Sequence, residues 1–396
     1  MDLTKQELEA RRERFTNKMN VVFPEWDTAL ICSKVNQYYF MGTMQDAILL
    51  IRKNGEYKYF VRRSYDRAME ESPLQDAIYQ MRSYRDAAAE FGAELGNVYA
   101  ELDTVPYSMM QRIGKYFNMK SLASLEYVTD TVRAVKSPYE LYWIERAGVQ
   151  QNQFLIEEIP KLLQEGMTEQ EFGGKLLDGM IRFGHQGSSR FHIFQTEMIG
   201  GQYGFGINSL YPTSFDGPGG MRGAAAATPG VGDPKTKLEK GDMVFVDIGF
   251  GMNGYHSDKT QVYCFGEEPR EEAVRMQQRC RDIQLAVAEQ LKPGAIPSDI
   301  YEKTMEGLPV EFLKNFMGYK GHNVRFLGHG VGLYVDELPV ITKGFNAPLE
   351  ENMVIALEPK YAIADVGTVG VEDTFVVTPQ GGRCITGDSG NIIVVK

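Results

Sequence analysis

The chain has 396 residues, with 42 lysines and arginines against 53 acidic residues and a formal net charge of −11. That length exceeds one ordinary core and implies two domains, while the acidic balance, with no basic stripe to override it, argues against a nucleic-acid partner. No apolar run approaches the roughly 18 residues a membrane span requires, so the expected partner is a small peptide or small molecule, with no membrane involved.

The opening "MDLTKQELEARRERF" reads as a charged helix rather than a signal peptide, which points to the cytoplasm. Residues 1–132 then mix strand-like runs, "TALICS" and "AILLIRKNGEYKYFV", with helix-like stretches such as "YRDAAAEFGAELG". This is the texture of an α/β domain, and it offers almost no candidate chemistry. In "VRAVKSPYELYWIERAGVQQNQFLIEEI" Ser137 and Glu140 form a capping box and Pro138 occupies the first helical turn. A helix starts there, and with it a second domain over 136–396. Gly166 and Thr168-x-x-Glu171 end one helix and cap the next. "MIGGQYGFGINSLYPTSFDGPGGMRGAAAATPGVGDP" is a long glycine-rich loop with little periodicity, of the kind that is functional or else misread. From Met243 onward strands dominate, interrupted by a helix over roughly Glu271 to Leu291. Cys32, Cys264, Cys280 and Cys384 are scattered, without CxxC spacing, and read as reduced and structural.

The stretch "VDIGFGMNGYHSDKT" holds Gly249, Gly251 and Gly254 in G-x-G-x-x-G spacing. A dinucleotide site needs a helix after those glycines, because the helix N-terminus holds the pyrophosphate. The residues after Gly254 are β-branched and aromatic instead, so the glycines read as a turn between two strands. The hairpin would bring Asp247 and Asp258, eleven positions apart, together. Two close carboxylates repel unless a proton or a cation lies between them. Further on, "FLGHGVGLYVDELP" presents His329 between glycines, "MVIALEPKY" places Glu358 in a strand, and "GVEDTFVVT" places Glu372 in another. Singly these are a turn aspartate, a core histidine and two ion-pairing glutamates.

Taken in order, Asp-x10-Asp, G-H-G-x-G, a strand Glu before Pro and a Gly-x-Glu-Asp strand, after a capped K-S-P-x-E helix, resemble the M24 metallopeptidase family. That family includes prolidases, aminopeptidases P and methionine aminopeptidases. The resemblance implies an α+β chain, with a pita-bread catalytic domain preceded by a smaller α/β domain of the creatinase type, and a homodimer. It further implies that Asp247, Asp258, His329, Glu358 and Glu372 bind two divalent ions, with Asp258 and Glu372 bridging, and that a metal-bridging hydroxide attacks while Glu358 shuttles protons. Four carboxylates balance two divalent cations in charge, whereas without metal they would be crowded anions. Oxygen ligands with one imidazole suit Mn, Fe or Co, with Zn also admissible.

The chain departs from the family at three places. The loop position 17 residues before Asp247, where active peptidases carry a histidine, is Gly230, and the position seven after His329 is Asp336. Two residues before Glu372, where prolidases commonly have arginine, stands Gly370. Asp336 would repel a substrate carboxylate and attract a cationic or donor group; His256, two residues before Asp258, is the candidate replacement imidazole. His192, Tyr211 and Arg222 are further candidate substrate contacts. The expected function is a dinuclear metal-dependent hydrolase resembling Xaa-Pro dipeptidases and aminopeptidases. The alternative is an enzyme on the same scaffold cleaving an amide, C–N or C–S bond of a small metabolite; a non-catalytic binding protein would have no need of four repelling carboxylates.

Overall fold

The computed structural model describes residues 1–192, 196, 198, 200–215, 217–387 and 390–396. The chain forms two compact units, Met1–Arg133 and Ala134–Lys396.

In the first unit the helix Lys5–Val22 begins at Thr4, whose hydroxyl accepts from the Glu7 N–H at 3.2 Å. Its six-stranded sheet runs in the order Ile78–Gln80, Tyr57–Arg63, Asp46–Arg52, Thr28–Ile31, Glu94–Ala100, Asn118–Ser124. Leu30, Ile48, Leu50, Phe60 and Val98 build its core with Phe91 and Ile113. The run "YRDAAAEFGAELG" is not one helix. The helix Tyr84–Phe91 stops at Gly92, whose φ of +92° breaks it, and the remainder enters the strand Glu94–Ala100.

The second unit is built on two sheets. One has the order Ile393–Val395, Tyr255–Phe265, Met243–Met252, Gly201–Phe205; the other runs Glu337–Thr342, Phe326–Gly330, Val354–Leu357, Asp373–Thr378, Gly381–Cys384. The strand Gly201–Phe205 lies inside the glycine-rich stretch read as loop, because its backbone pairs with Val244–Ile248 although its side chains carry no alternation. A further two-stranded sheet pairs Lys360–Ile363 with Gly367–Gly370. The helices Pro138–Gln153 and Glu169–Arg182 contribute Ala147, Phe172, Leu176 and Met180 to one core with Val244, Val246, Ile248 and Phe250. The helix Glu271–Ala288 contributes Cys280, Ile283 and Val287 to another with Leu327, Ile355, Leu357 and Phe375.

This layering decides which side chains can meet. Along Met243–Met252 the even-numbered residues face the helices, so Met243, Phe245 and Asp247 face the other way. Asp258, Thr260, Val262 and Cys264 share that face on the partner strand. The strands are joined by the two-residue turn Asn253-Gly254, with φ of +51° and +90°, the combination that fits the twist of a tight hairpin. Gly249 and Gly251 are strand residues. Among the described residues no helix is long and apolar enough to cross a membrane, and all four cysteines are free.

Candidate metal centre

Asp247 lies opposite Thr260 and Asp258 opposite Gly249, so the two acids are diagonal neighbours on one face of the hairpin. His329 sits in the strand Phe326–Gly330, opposite Ala356. Glu358 lies just past the end of Val354–Leu357, its N–H donating to the Leu327 carbonyl at 3.0 Å. Glu372 immediately precedes Asp373–Thr378 and is bridged to Thr260, whose hydroxyl donates to its Oε2 at 2.9 Å. The two glutamates thus stand at strand ends, where the backbone can turn both side chains toward the hairpin acids.

The two sheets are stitched behind these acids. The Thr374 hydroxyl donates to the Asp258 carbonyl at 2.8 Å and accepts from the Asp258 N–H at 2.9 Å. Lys259 and Asp373, the neighbours of Asp258 and Glu372, point to the opposite side and form a fully buried ion pair at 2.7 Å. Thr386 donates to the same Asp373 carboxylate at 3.0 Å.

At the centre is a residue that sequence reasoning missed. The Lys360 ammonium, fully buried, lies 2.8 Å from Asp247 Oδ2, 2.9 Å from Glu358 Oε2 and 2.8 Å from Glu372 Oε2. The Phe245 ring is 5.6 Å away. A signal for it exists: two positions after Glu358 in an extended segment, Lys360 can turn to the same side. The other oxygens of the two glutamates face the imidazole. His329 Nε2 is 3.5 Å from Glu358 Oε1, 3.8 Å from Glu372 Oε1 and 3.9 Å from Asp258 Oδ2. The cluster therefore has an ammonium half and an imidazole half, joined by two glutamates that give one oxygen to each.

The electrostatics arise from burying four carboxylates with two bases. Burial raises Asp247 to about 8 in spite of Lys360. Burial and the Glu372 and Asp247 charges push Asp258 well above the ordinary range, and burial raises Glu358 against the pull of Lys360. Glu372 goes the other way: burial opposes its charge, but Lys360 and His329 together hold it below the usual carboxylate range. Burial also opposes charge on His329, yet Glu372, Glu358 and Asp258 raise it to about 10. For Lys360 burial is likewise outweighed by its three carboxylates, which keep it charged.

The donor set of the imidazole half fits a divalent cation. His329 Nδ1 is 3.1 Å from the Gly330 carbonyl, an arrangement that keeps a proton on Nδ1 and makes Nε2 the nitrogen that would serve a cation once its own proton is displaced. Asp258, His329 and Glu372 offer ligand atoms within 4.8 Å of one another; so do Asp247, Glu358 and Glu372, but those three already hold the ammonium.

The remaining candidates divide. His256 is completely buried, with Nδ1 3.0 Å from the Gly332 carbonyl and Nε2 3.2 Å from the Gln186 amide. Burial, with Arg190 and His185 nearby, lowers it to about 4 despite the Gly332 hydrogen bond. Both ring nitrogens are thus engaged by the loops that cover the strand. Asp336 Oδ1 accepts from the His192 N–H at 2.6 Å, and the His192 and Tyr334 rings meet edge to face at 5.3 Å. Tyr211 lines a cleft of about 360 Å³ with Tyr319, His322 and Asp365, and Arg222 lines another of about 480 Å³. None of the five clustered acids and imidazole lines either cleft.

The family model of metallopeptidase family M24 matches residues 144–379, and that of the creatinase/prolidase N-terminal domain matches residues 11–135. A Xaa-Pro dipeptidase of Pyrococcus furiosus is 26% identical over 369 residues, covering 91% of this chain and 93% of its own. The solved prolidase of Pyrococcus horikoshii OT3 superposes with a TM-score of 0.75 at 23% identity, over 96% of this chain and 98% of that one. A Xaa-Pro dipeptidase from Bacillus anthracis gives 0.78 at 22% identity, over 97% and 99%. The expected architecture, a creatinase-type domain followed by a pita-bread catalytic domain, is the one observed.

Proposed function

Because this chain belongs to metallopeptidase family M24 and is a metallohydrolase of that family, we propose that it hydrolyses short peptides with proline in the second position, using Asp247, Asp258, His329, Glu358 and Glu372 as its metal centre. The observation that carries this is the convergence of His329 Nε2 with one oxygen each from Asp258, Glu358 and Glu372, at 3.5 to 3.9 Å. The sequence likeness to a Xaa-Pro dipeptidase over nine-tenths of both chains favours the peptide over the metabolite substrate.

A divalent ion held by these residues would supply Lewis acidity and an activated water. The chain's own residues do the rest. Glu358, buried and held above the ordinary carboxylate range, is suited to take a proton from the attacking water and return it to the leaving amine. Thr260 holds Glu372 Oε2, and Thr374 pins the backbone that carries Asp258, so that little reorganisation is needed during the reaction. The half-buried Asp336 and His192, tied to one another, are proposed to contact the substrate's amine end. The family resemblance implies that these residues would hold two ions, which would supply an activated water for the attack. Manganese, a cytoplasmic location and a homodimer belong to the same proposal.

The test is a panel of dipeptides offered to protein dialysed free of metal and then reloaded with manganese or cobalt. Hydrolysis confined to Xaa-Pro bonds, dependent on metal and abolished by His329→Ala and Glu372→Gln, is expected. Failure to cleave any dipeptide under reloading, in a protein that has bound metal, would sink the peptidase reading.

A further inference from the structure

We infer that the Lys360 ammonium stands in place of one of two divalent ions, so that this site takes a single ion, in the half formed by Asp258, Glu358, Glu372 and His329. The inference rests on the reading of these side chains as a metal centre.

The geometry carries it. The ammonium contacts one oxygen from each of three carboxylates at 2.8 to 2.9 Å. Ions of the manganese and zinc type hold carboxylate oxygens at about 2.0–2.2 Å. An ion bound to those same three oxygens would occupy the position of the ammonium itself. The lysine is also fastened there. Its backbone pairs with Gly370, its carbonyl accepts from the Met317 N–H at 2.9 Å, and its side chain has no exposed surface.

Charge points the same way. With two divalent ions and the ammonium, five positive charges would face four carboxylates in a buried cluster. With one ion the count is three against four, which leaves a deficit for a substrate or a proton to fill rather than a surplus of buried cation.

The imidazole half remains available. Its separations of 3.5, 3.8 and 3.9 Å are long for hydrogen bonds. They are close to the edge of a tetrahedral shell with bonds of about 2.1 Å, which is about 3.4 Å. Asp258, His329 and Glu372, whose ligand atoms all lie within 4.8 Å of one another, need a contraction to close on one ion, with Glu358 Oε1, 3.5 Å from the imidazole, as the fourth donor. On this inference Asp247, counted above with the metal centre, serves the ammonium rather than a metal.

The measurement is manganese stoichiometry by equilibrium dialysis with elemental analysis, together with the electron paramagnetic resonance spectrum of the bound metal. Wild type should bind one manganese per chain and give the spectrum of an isolated ion. Lys360→Gly should bind two, with an exchange-coupled spectrum. Two coupled ions on the wild type would overturn the inference while leaving the metal centre intact, and so would a folded Lys360→Gly that still takes one. No manganese on either protein would remove the metal-centre reading and this inference with it. The wild-type spectrum needs no variant, so it decides the matter even if Lys360→Gly does not fold.

Discussion

Lys360 and Gly370 face one another across a two-stranded sheet, and a Cβ at Gly370 would lie 2.6 Å from the Lys360 Cα and 2.5 Å from the Pro359 carbonyl oxygen. Gly370 also has φ of +134°, which side chains rarely tolerate. The position at which the family resemblance implies an arginine thus has no room for a side chain here, and the cation of this pair of strands is carried by residue 360. Gly370→Ala should cost about 2–4 kcal/mol, read by chemical denaturation, and should displace the lysine from its three carboxylates. A stability loss below about 0.5 kcal/mol would show that the sheet adapts freely.

The Lys259–Asp373 pair is fully buried at 2.7 Å. Asp373→Ala would strand the ammonium without its main partner and should cost about 3–5 kcal/mol. The double change Lys259→Met with Asp373→Leu removes both charges and should recover most of that loss. If the single and double variants unfold at the same denaturant concentration, the stranded charge is not the cause.

Acid should weaken the protein through its buried histidines. His185 is lowered from 6.5 to about 4 by burial, and its Nδ1 accepts from the Gly187 N–H at 2.9 Å, so it is neutral in the fold. Below pH 6.5 the unfolded chain gains a proton the folded one refuses. The contribution is therefore complete above the ordinary histidine range and is lost as the pH falls toward 4, by up to about 3 kcal/mol for this group. His185→Gln should flatten the stability profile across that window and leave it unchanged above about pH 7. An unaltered slope would mean that the ring is already protonated in the fold.

The family resemblance implies imidazoles at the positions of Gly230 and Asp336, and each missing positioned donor or acid costs about two orders of magnitude or more. Xaa-Pro turnover by the wild type should therefore lie about 10² to 10⁴ below that of a site with both. Asp336→His should raise kcat while also breaking the 2.6 Å link to the His192 backbone, so KM should rise with it. Turnover at ordinary prolidase rates in the wild type, indifferent to Asp336→His, would show that the lost imidazoles are dispensable here.

What the sequence made legible was whatever depends on local pattern or on motif order. The capping boxes at Ser137–Glu140 and Thr168–Glu171, the helix from Glu271 and the hairpin around Asn253-Gly254 are written in neighbouring residues. The five converging side chains were readable as an ordered set. The strand Gly201–Phe205 was not, because a glycine-rich edge that pairs through its backbone leaves no alternation to read. Lys360 was hidden for a different reason: a charge count over the acids alone omitted the lysine that folds back among them. His256 lies on the expected strand, but its ring is claimed by Gly332 and Gln186, which belong to loops far away in sequence.

Glu358 and Glu372 each present one oxygen to the lysine and the other to the histidine side, and a carboxylate is a rigid planar unit. The two halves are for that reason mechanically geared. Rotating either glutamate to relieve one oxygen swings its twin, so the ammonium sets the bite with which the opposite side can grip. On the one-ion inference, an oversized ion would have to pull both glutamates off the lysine at once, which would make residue 360 a gauge of ionic radius for a site it does not enter.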